Sequence, residues 1–278
     1  MKSMSFLRKL LFWKKSHPRV AVVRLAGVIG AQGGAFRRGL TLDSVAPLLK
    51  KAFSTADIKA VALIVNSPGG SPVQSELVAA RIRQLAAKHE VPVLCFCEDV
   101  AASGGYWLAA SADEIYASSA SVIGSIGVIS AGFGFPDVLE KLGIERRVYT
   151  SGKSKSMLDP FRPENPEDVA YLKSLQSDIH EQFIDYVRRR RGTRLNGEDS
   201  ELFSGRFWTG RQAEKLGLID QIGRLHDVLE ARFGKEVKLI AVAQKRGLLP
   251  FGTGMAESAT DRVIDRLEAR SLWQRFGL

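Results

Sequence analysis

From Arg19 onward, short β-branched runs alternate with amphipathic segments, and this alternation constrains the fold more than any other feature of the chain. VAVVRL (20–25) reads as a strand, DSVAPLLKKAF (43–53) as a helix, and AVALIVNS (60–67) as a strand ending in the turn Pro68-Gly69-Gly70. QSELVAARIRQLAAKH (74–89) returns as a helix and PVLCFC (92–97) as a buried strand. Repeated βαβ units require a parallel sheet with helices on its faces and place function in the loops that follow the strands. After Gly152 the pattern turns mostly helical, over 166–190, 210–216 and 223–233, before a strand at 237–243. The expected class is therefore α/β: stacked βαβ units with a mostly helical C-terminal extension.

Charge is placed unevenly along this frame. The 278 residues carry Lys+Arg 40 against Asp+Glu 30, a net charge of +10. A total of that size raises nucleic acid or an anionic membrane as partners. Residues 1–42, however, hold nine basic residues and no acid, whereas the remainder has 31 basic and 30 acidic residues. The charge belongs to this N-terminal stretch, and within it the arm 1–18 sets Phe6, Leu7, Leu10, Leu11 and Trp13 among Arg8, Lys9, Lys14 and Lys15. That pattern suits a segment lying on a membrane surface. It is too short and too charged to span one or to serve as a cleavable signal. The uncharged stretch 115–136 holds five serines and four glycines and reads as strand and turn. The expected location is thus cytoplasmic, or peripheral on the cytoplasmic face of the inner membrane.

Two other charged or reactive features have structural readings. The run Arg188 to Arg191 followed by Gly192 is the cationic C-terminus of a helix with its usual glycine, so no nucleic-acid partner is assigned. Cys95 and Cys97 fit neither zinc nor thioredoxin spacing and read as small apolar strand residues, and no metal or other cofactor is expected. Residues 244–278 are read as a linker followed by an amphipathic helix, with apolar positions at Val263, Ile264, Leu267 and Leu272.

The chemistry lies in two glycine-rich turns that each follow a strand. Asn66-Ser67-Pro68-Gly69-Gly70-Ser71 exposes backbone N–H groups and admits close approach, but lacks the lysine of a P-loop and the spacing of a dinucleotide site. Ala101-Ala102-Ser103-Gly104-Gly105-Tyr106 gives the Ser103 hydroxyl room at a helix N-terminus, which is the logic of a nucleophile elbow. A nucleophilic serine needs a base. His17, His89, His180 and His226 all lie outside glycine-rich or strand-end contexts, which disfavours a histidine triad. A desolvated lysine can serve instead, and Lys153 and Lys155 in YTSGKSKSMLDP (149–160) are the candidates.

With these residues in view, the chain resembles the signal peptide peptidase A family, the S49 serine peptidases, whose protease domain has the ClpP/crotonase fold. The landmarks are VNSPGG, AASGGYWLA, SVIGSIGV, YTSGKSKSMLDPFR and GRFWTGRQAEKLGLIDQIG, in family order from about Val20 to Ile240. The resemblance implies a peptidase domain over 19–243 and a Ser/Lys dyad of Ser103 and Lys155, and it selects Lys155 over Lys153. It also implies that Ser125 orients the lysine and that the N–H groups of Gly70 and Gly104 form the oxyanion hole. Ser156, Leu158 and Asp159 depart from the Asp, Gly and Ser usual at these places in the family. The implied activity is endopeptidase cleavage of signal-peptide remnants or other unfolded or membrane-derived peptides with small or apolar side chains near the cut. The implied assembly is a homo-oligomeric ring in which one site can draw its serine and lysine from neighbouring chains. The competing readings are a catalytically silent, ring-forming membrane scaffold and a crotonase-like acyl-CoA enzyme.

Overall fold

The computed structural model describes residues 17–30, 39–243 and 270–278. Residues 1–16 of the basic arm, and the linker with most of the tail segment (244–269), lie outside the described residues.

The chain runs β1 (Arg19–Ala26), α1 (Leu42–Phe53), β2 (Ile58–Ser67), α2 (Pro72–His89), β3 (Val93–Ala102) and α3 (Gly104–Ala109). It continues through β4 (Glu114–Ala117), β5 (Val122–Gly124), α4 (Pro136–Lys141), α5 (Pro166–Arg191) and α6 (Asp199–Leu202). β6 (Phe207–Thr209), α7 (Gly210–Lys215), β7 (Gln221–Ile222), α8 (Leu225–Phe233) and β8 (Lys238–Val242) complete it. The sheet order is β6-β5-β3-β2-β1-β8, with β4 pairing β3 and β7, and every pairing is parallel except β5 with β6. The expected α/β class is observed.

Alternation of side chains across the sheet separates two apolar layers. Val61, Leu63 and Val65 of β2 face a large core under α1, α2, α3 and α5, while Ala60 and Ala62 join Val20, Leu94, Phe96 and Leu229 on the opposite face against α8. Helix starts follow local chemistry. Thr41 caps α1 reciprocally with Ser44, and Ser71, the last residue of the first glycine turn, caps α2 with Pro72 at its first position.

One boundary and one charged run differ from the sequence reading for identifiable reasons. β3 runs five residues beyond Cys97, to Ala102. Glu98 and Asp99 interrupt its apolar run, but each is satisfied across the sheet: Arg24 donates to both Glu98 carboxylate oxygens at 2.5 and 2.6 Å, and the Asn66 amide donates to Asp99 at 2.7 Å. The four arginines closing α5 are also more than a solvated helix end. Arg190 donates to the carbonyls of Ala110 (2.9 Å) and Ala112 (2.8 Å), just past the end of α3. Arg191 is buried and donates to both oxygens of Asp220, at 2.8 and 3.1 Å. Cys95 and Cys97 are buried on β3, as expected for small apolar strand residues, and burial pushes the Cys95 thiol well up.

Candidate functional site

β3 forks, and the fork builds the site. Its first half, Leu94 to Cys97, pairs with β4, whereas its last residues, Val100 to Ala102, pair with β5. The chain then turns into α3 at Ser103, a non-glycine residue held at φ 52° and ψ −125°. A serine in that conformation costs about 1–3 kcal/mol and persists only when its surroundings enforce it. Here the Ser103 N–H donates to the Gly124 carbonyl at 2.7 Å, while the Tyr106 and Trp107 N–H groups both donate to the Ser103 carbonyl. Downstream, the Tyr106 hydroxyl donates to the Leu218 carbonyl at 2.7 Å, and the Trp107 ring stacks on Phe183 of α5 at 4.5 Å. α3 is anchored along its length, so the strain can be held at the residue just before it.

The first glycine turn packs directly against this elbow. A Cβ on Gly69 would lie 2.7 Å from the Ser103 Cβ and 2.9 Å from the Gly104 nitrogen, so only glycine allows the approach. Gly70 bridges Ile29 in parallel fashion: the Ile29 N–H donates to Gly69 O and the Ser71 N–H to Ile29 O. In a parallel bridge those bonds go through the flanking residues, so the N–H of Gly70 points away from Ile29. The Gly104 N–H is the first of a helix and has no partner within it. Two backbone donors therefore flank Ser103. The two turns are tied together at their bases, since Asn66 at the end of β2 also accepts the Val100 N–H at 3.2 Å.

Gly70 has no room for a side chain. Its φ is 141°, and a Cβ would meet the Ile29 carbonyl oxygen at 2.0 Å. Gly70→Ala is expected to destabilise the fold by about 1–3 kcal/mol and to displace the turn. A thermal melt unchanged from wild type would contradict this.

Ser125 follows β5 and is also a buried non-glycine residue at positive φ, 52°. Its N–H donates to the Arg206 carbonyl at 2.7 Å. Ser103, Gly70, Gly104 and Ser125 are thus gathered at the C-terminal ends of β2, β3 and β5. Lys155 is not gathered with them. It lies exposed in a turn where its backbone N–H donates to Gly152, and among the described residues no hydrogen bond or ion pair joins it to Ser103 or Ser125.

The segment that carries Lys155 has a particular character. From Gly127 to Gln182 every residue keeps part of its surface open to solvent, yet the stretch is internally organised. The Asp159 side chain is 4% exposed and accepts from Arg146 at 2.5 Å and from the Phe161 N–H at 3.0 Å. The Phe135 N–H donates to Pro160 O at 2.6 Å, and the Leu158 N–H to Asp168 at 3.2 Å. Between these strands of chain and the start of α5 lies a cleft of about 830 Å³ whose lining includes Phe133, Phe135 and Met157. Ile129, Phe133, Val138, Leu142 and Tyr149 present apolar surface outward. Asp159, noted in the sequence only as a departure from the family pattern, is thus the anchor of the lysine turn.

Reading the sequence alone missed His180. It sits on α5 with Phe183 and Val187 at helical spacing, and its Nε2 lies 3.1 Å from the Ile126 carbonyl beside Ser125. The signal was a polar residue on an otherwise core-facing stripe. Among the described residues no cluster of three His, Cys, Asp or Glu side chains is placed to hold a metal, and no helix is long and apolar enough to cross a membrane.

A parallel sheet of βαβ units with helices on its faces is the architecture of the ClpP/crotonase-like fold. Comparison with solved structures agrees. A mutant of the 1510-N membrane-bound stomatin-specific protease superposes with a TM-score of 0.53 at 17% identity, covering 83% of this chain and 100% of that one. The family model for peptidase family S49 matches residues 86–239. A putative signal peptide peptidase SppA of Enterococcus faecium is 33% identical over 91% of this chain and 78% of its own length. The chain belongs to peptidase family S49. A Brucella melitensis protein named Na(+)/H(+) antiporter NhaA is 48% identical over 272 residues, 93% of this chain. The present chain spans only 37% of that protein, and the likeness is to that part alone.

Proposed function

We propose that the protein is a serine endopeptidase in which Ser103 is the nucleophile and Lys155 the general base. The observation that carries this reading is the backbone of Ser103: a non-glycine residue at φ 52°, ψ −125° between a strand and a helix, in one glycine turn and with the other packed against it. Strain of that kind aims a hydroxyl out of the chain and toward an approaching carbonyl. Neutral Lys155 removes the Ser103 proton as the oxygen attacks a peptide carbonyl. The N–H groups of Gly70 and Gly104 stabilise the resulting oxyanion, collapse expels the amine as it gains a proton, and water hydrolyses the acyl-enzyme. Ser125 accepts a hydrogen bond from the lysine and orients it.

The base reaches Ser103 from a neighbouring copy of the chain in a homo-oligomeric ring. Supporting this are the solvent-exposed position of Lys155 and the apolar surface of its own segment, which a single chain leaves uncovered. Packing between copies would also supply the desolvation that a lysine needs to act as a base near neutral pH. Substrates are extended peptides, including remnants of signal peptides, and the basic arm (1–18) holds the protein peripherally on the cytoplasmic face of the membrane.

A fluorophosphonate label tests the nucleophile and base together. Wild-type protein is expected to label, Ser103→Ala not at all, and Lys155→Ala more slowly by about a thousandfold or more, as for loss of a member of a catalytic unit. Labelling of both variants at the wild-type rate would eliminate the dyad.

A further inference from the structure

We propose that His180 is a positioning residue for the turn that carries Ser125. The inference rests on the reading of Ser103, Ser125 and Lys155 given above. Gly124 and Ser125 are successive residues at positive φ, 107° and 52°, and the serine can hold that conformation only under restraint. Three hydrogen bonds restrain the turn, each from a different part of the fold. The Ser103 N–H grips Gly124 O at 2.7 Å, the Arg206 carbonyl before β6 takes the Ser125 N–H at 2.7 Å, and His180 of α5 reaches Ile126 O at 3.1 Å. A carbonyl oxygen only accepts, so the proton of the third bond sits on His180 Nε2.

The third bond differs from the other two in what it couples. α5 begins directly after the segment bearing Lys155, and its inner face carries His180, Phe183, Tyr186, Val187 and Arg190. Phe183 and Tyr186 stack on Trp107 at 4.5 and 5.4 Å, and Arg190 caps the end of α3. One helix thus holds the Ser103 helix through its aromatic stripe and the Ser125 turn through a single imidazole. The aromatic contacts stabilise the fold. The imidazole sets where the Ser125 hydroxyl sits, and with it the lysine that this hydroxyl orients. Its Nε2–H is committed to the Ile126 carbonyl, so it acts on the reaction through the turn, and the Ser103 proton goes to Lys155.

The test compares His180→Leu, which keeps the bulk and removes the donor, with His180→Gln, whose amide nitrogen reaches a similar point. Peptide kcat and KM, and the melting temperature, are measured on the full chain beside Ser103→Ala and Lys155→Ala. His180→Leu is expected to lower kcat by about tenfold to a hundredfold, the scale of a slight misplacement of reacting groups, with KM and melting temperature near wild type. His180→Gln is expected to restore kcat to within about threefold of wild type. Should the Leu variant melt early, Asn and Gln make the same comparison at native stability. The Asn amide stops short of Ile126, so it should behave as Leu was expected to. Wild-type kcat in His180→Leu, or in His180→Asn where that pair replaces it, would overturn the proposal. A Gln variant as inactive as the donor-lacking variant at unchanged melting temperature would also overturn it, and would make the imidazole an acid or base. Full activity in Lys155→Ala would instead remove the base assignment, while the contrast between donor-bearing and donor-lacking variants would still report on the turn.

Discussion

Mixing Ser103→Ala protein with Lys155→Ala protein is expected to restore peptidase activity that neither preparation shows alone. Each variant lacks one half of the proposed dyad, and loss of either half should abolish nearly all activity. If each site takes Ser103 from one chain and Lys155 from its neighbour, a randomly mixed ring contains intact pairs. In an equimolar mixture with closed cyclic symmetry about a quarter of the sites have both groups. The structural ground is the separation seen in a single chain. Ser103 is locked at the end of β3 by the Gly124 carbonyl, whereas Lys155 is exposed on a segment, Gly127 to Gln182, in which every residue keeps some surface open to solvent. Subunit exchange is verified by co-purification of differently tagged copies. Co-assembled variants that stay inactive would place the whole site within one chain.

Removing the carboxylate of Asp220 is expected to have the largest effect on stability. Asp220 accepts both Arg191 terminal nitrogens, the Arg194 guanidinium at 3.2 Å and the Ile115 N–H at 2.7 Å, and Arg191 is 2% exposed. Deleting one partner of a buried pair leaves an uncompensated charge and costs about 3–5 kcal/mol. For a chain of this size Asp220→Ala should lower the melting temperature by on the order of 10 °C. The pH dependence follows from the same group. Burial alone pushes the Asp220 carboxyl up, but hydrogen bonds and attraction from Arg191, the Ile115 N–H and Arg194 outweigh it and hold the carboxyl below the ordinary range. A group depressed in the folded state contributes stability that is present above its unfolded pKa and lost as pH falls through the folded one. The melting temperature of wild type should therefore drop on the acid side while that of Asp220→Ala changes less, and parallel curves would contradict the assignment.

The glycine turns and the elbow were legible because their signals are local. A glycine pair after an apolar run announces positive φ, and Gly69 and Gly70 take φ 103° and 141°. A serine between small residues at a strand–helix boundary announces an elbow, and Ser103 forms one. The end of β3 was not legible, because Glu98 and Asp99 break the apolar run and are balanced by Arg24 and Asn66, which lie 74 and 33 residues away. His180 was set aside for the same reason. Its partner, Ile126, is 54 residues distant, and the polar residue on a core-facing stripe marks that side as buried without naming the partner.

The sequence by itself determined the βαβ order, the two turns and the serine within the second. Strand and helix periods and the φ freedom of glycine act over a few residues and leave their mark there. Only the tertiary structure decided that β3 forks to bring Ser125 beside Ser103, that α5 turns Arg190 to the end of α3, Arg191 to Asp220 and His180 to the Ile126 carbonyl, and that Lys155 is exposed with no bond to the serine. Those outcomes depend on pairings between residues tens of positions apart, whose energies are set by packing and by partners that no local window contains.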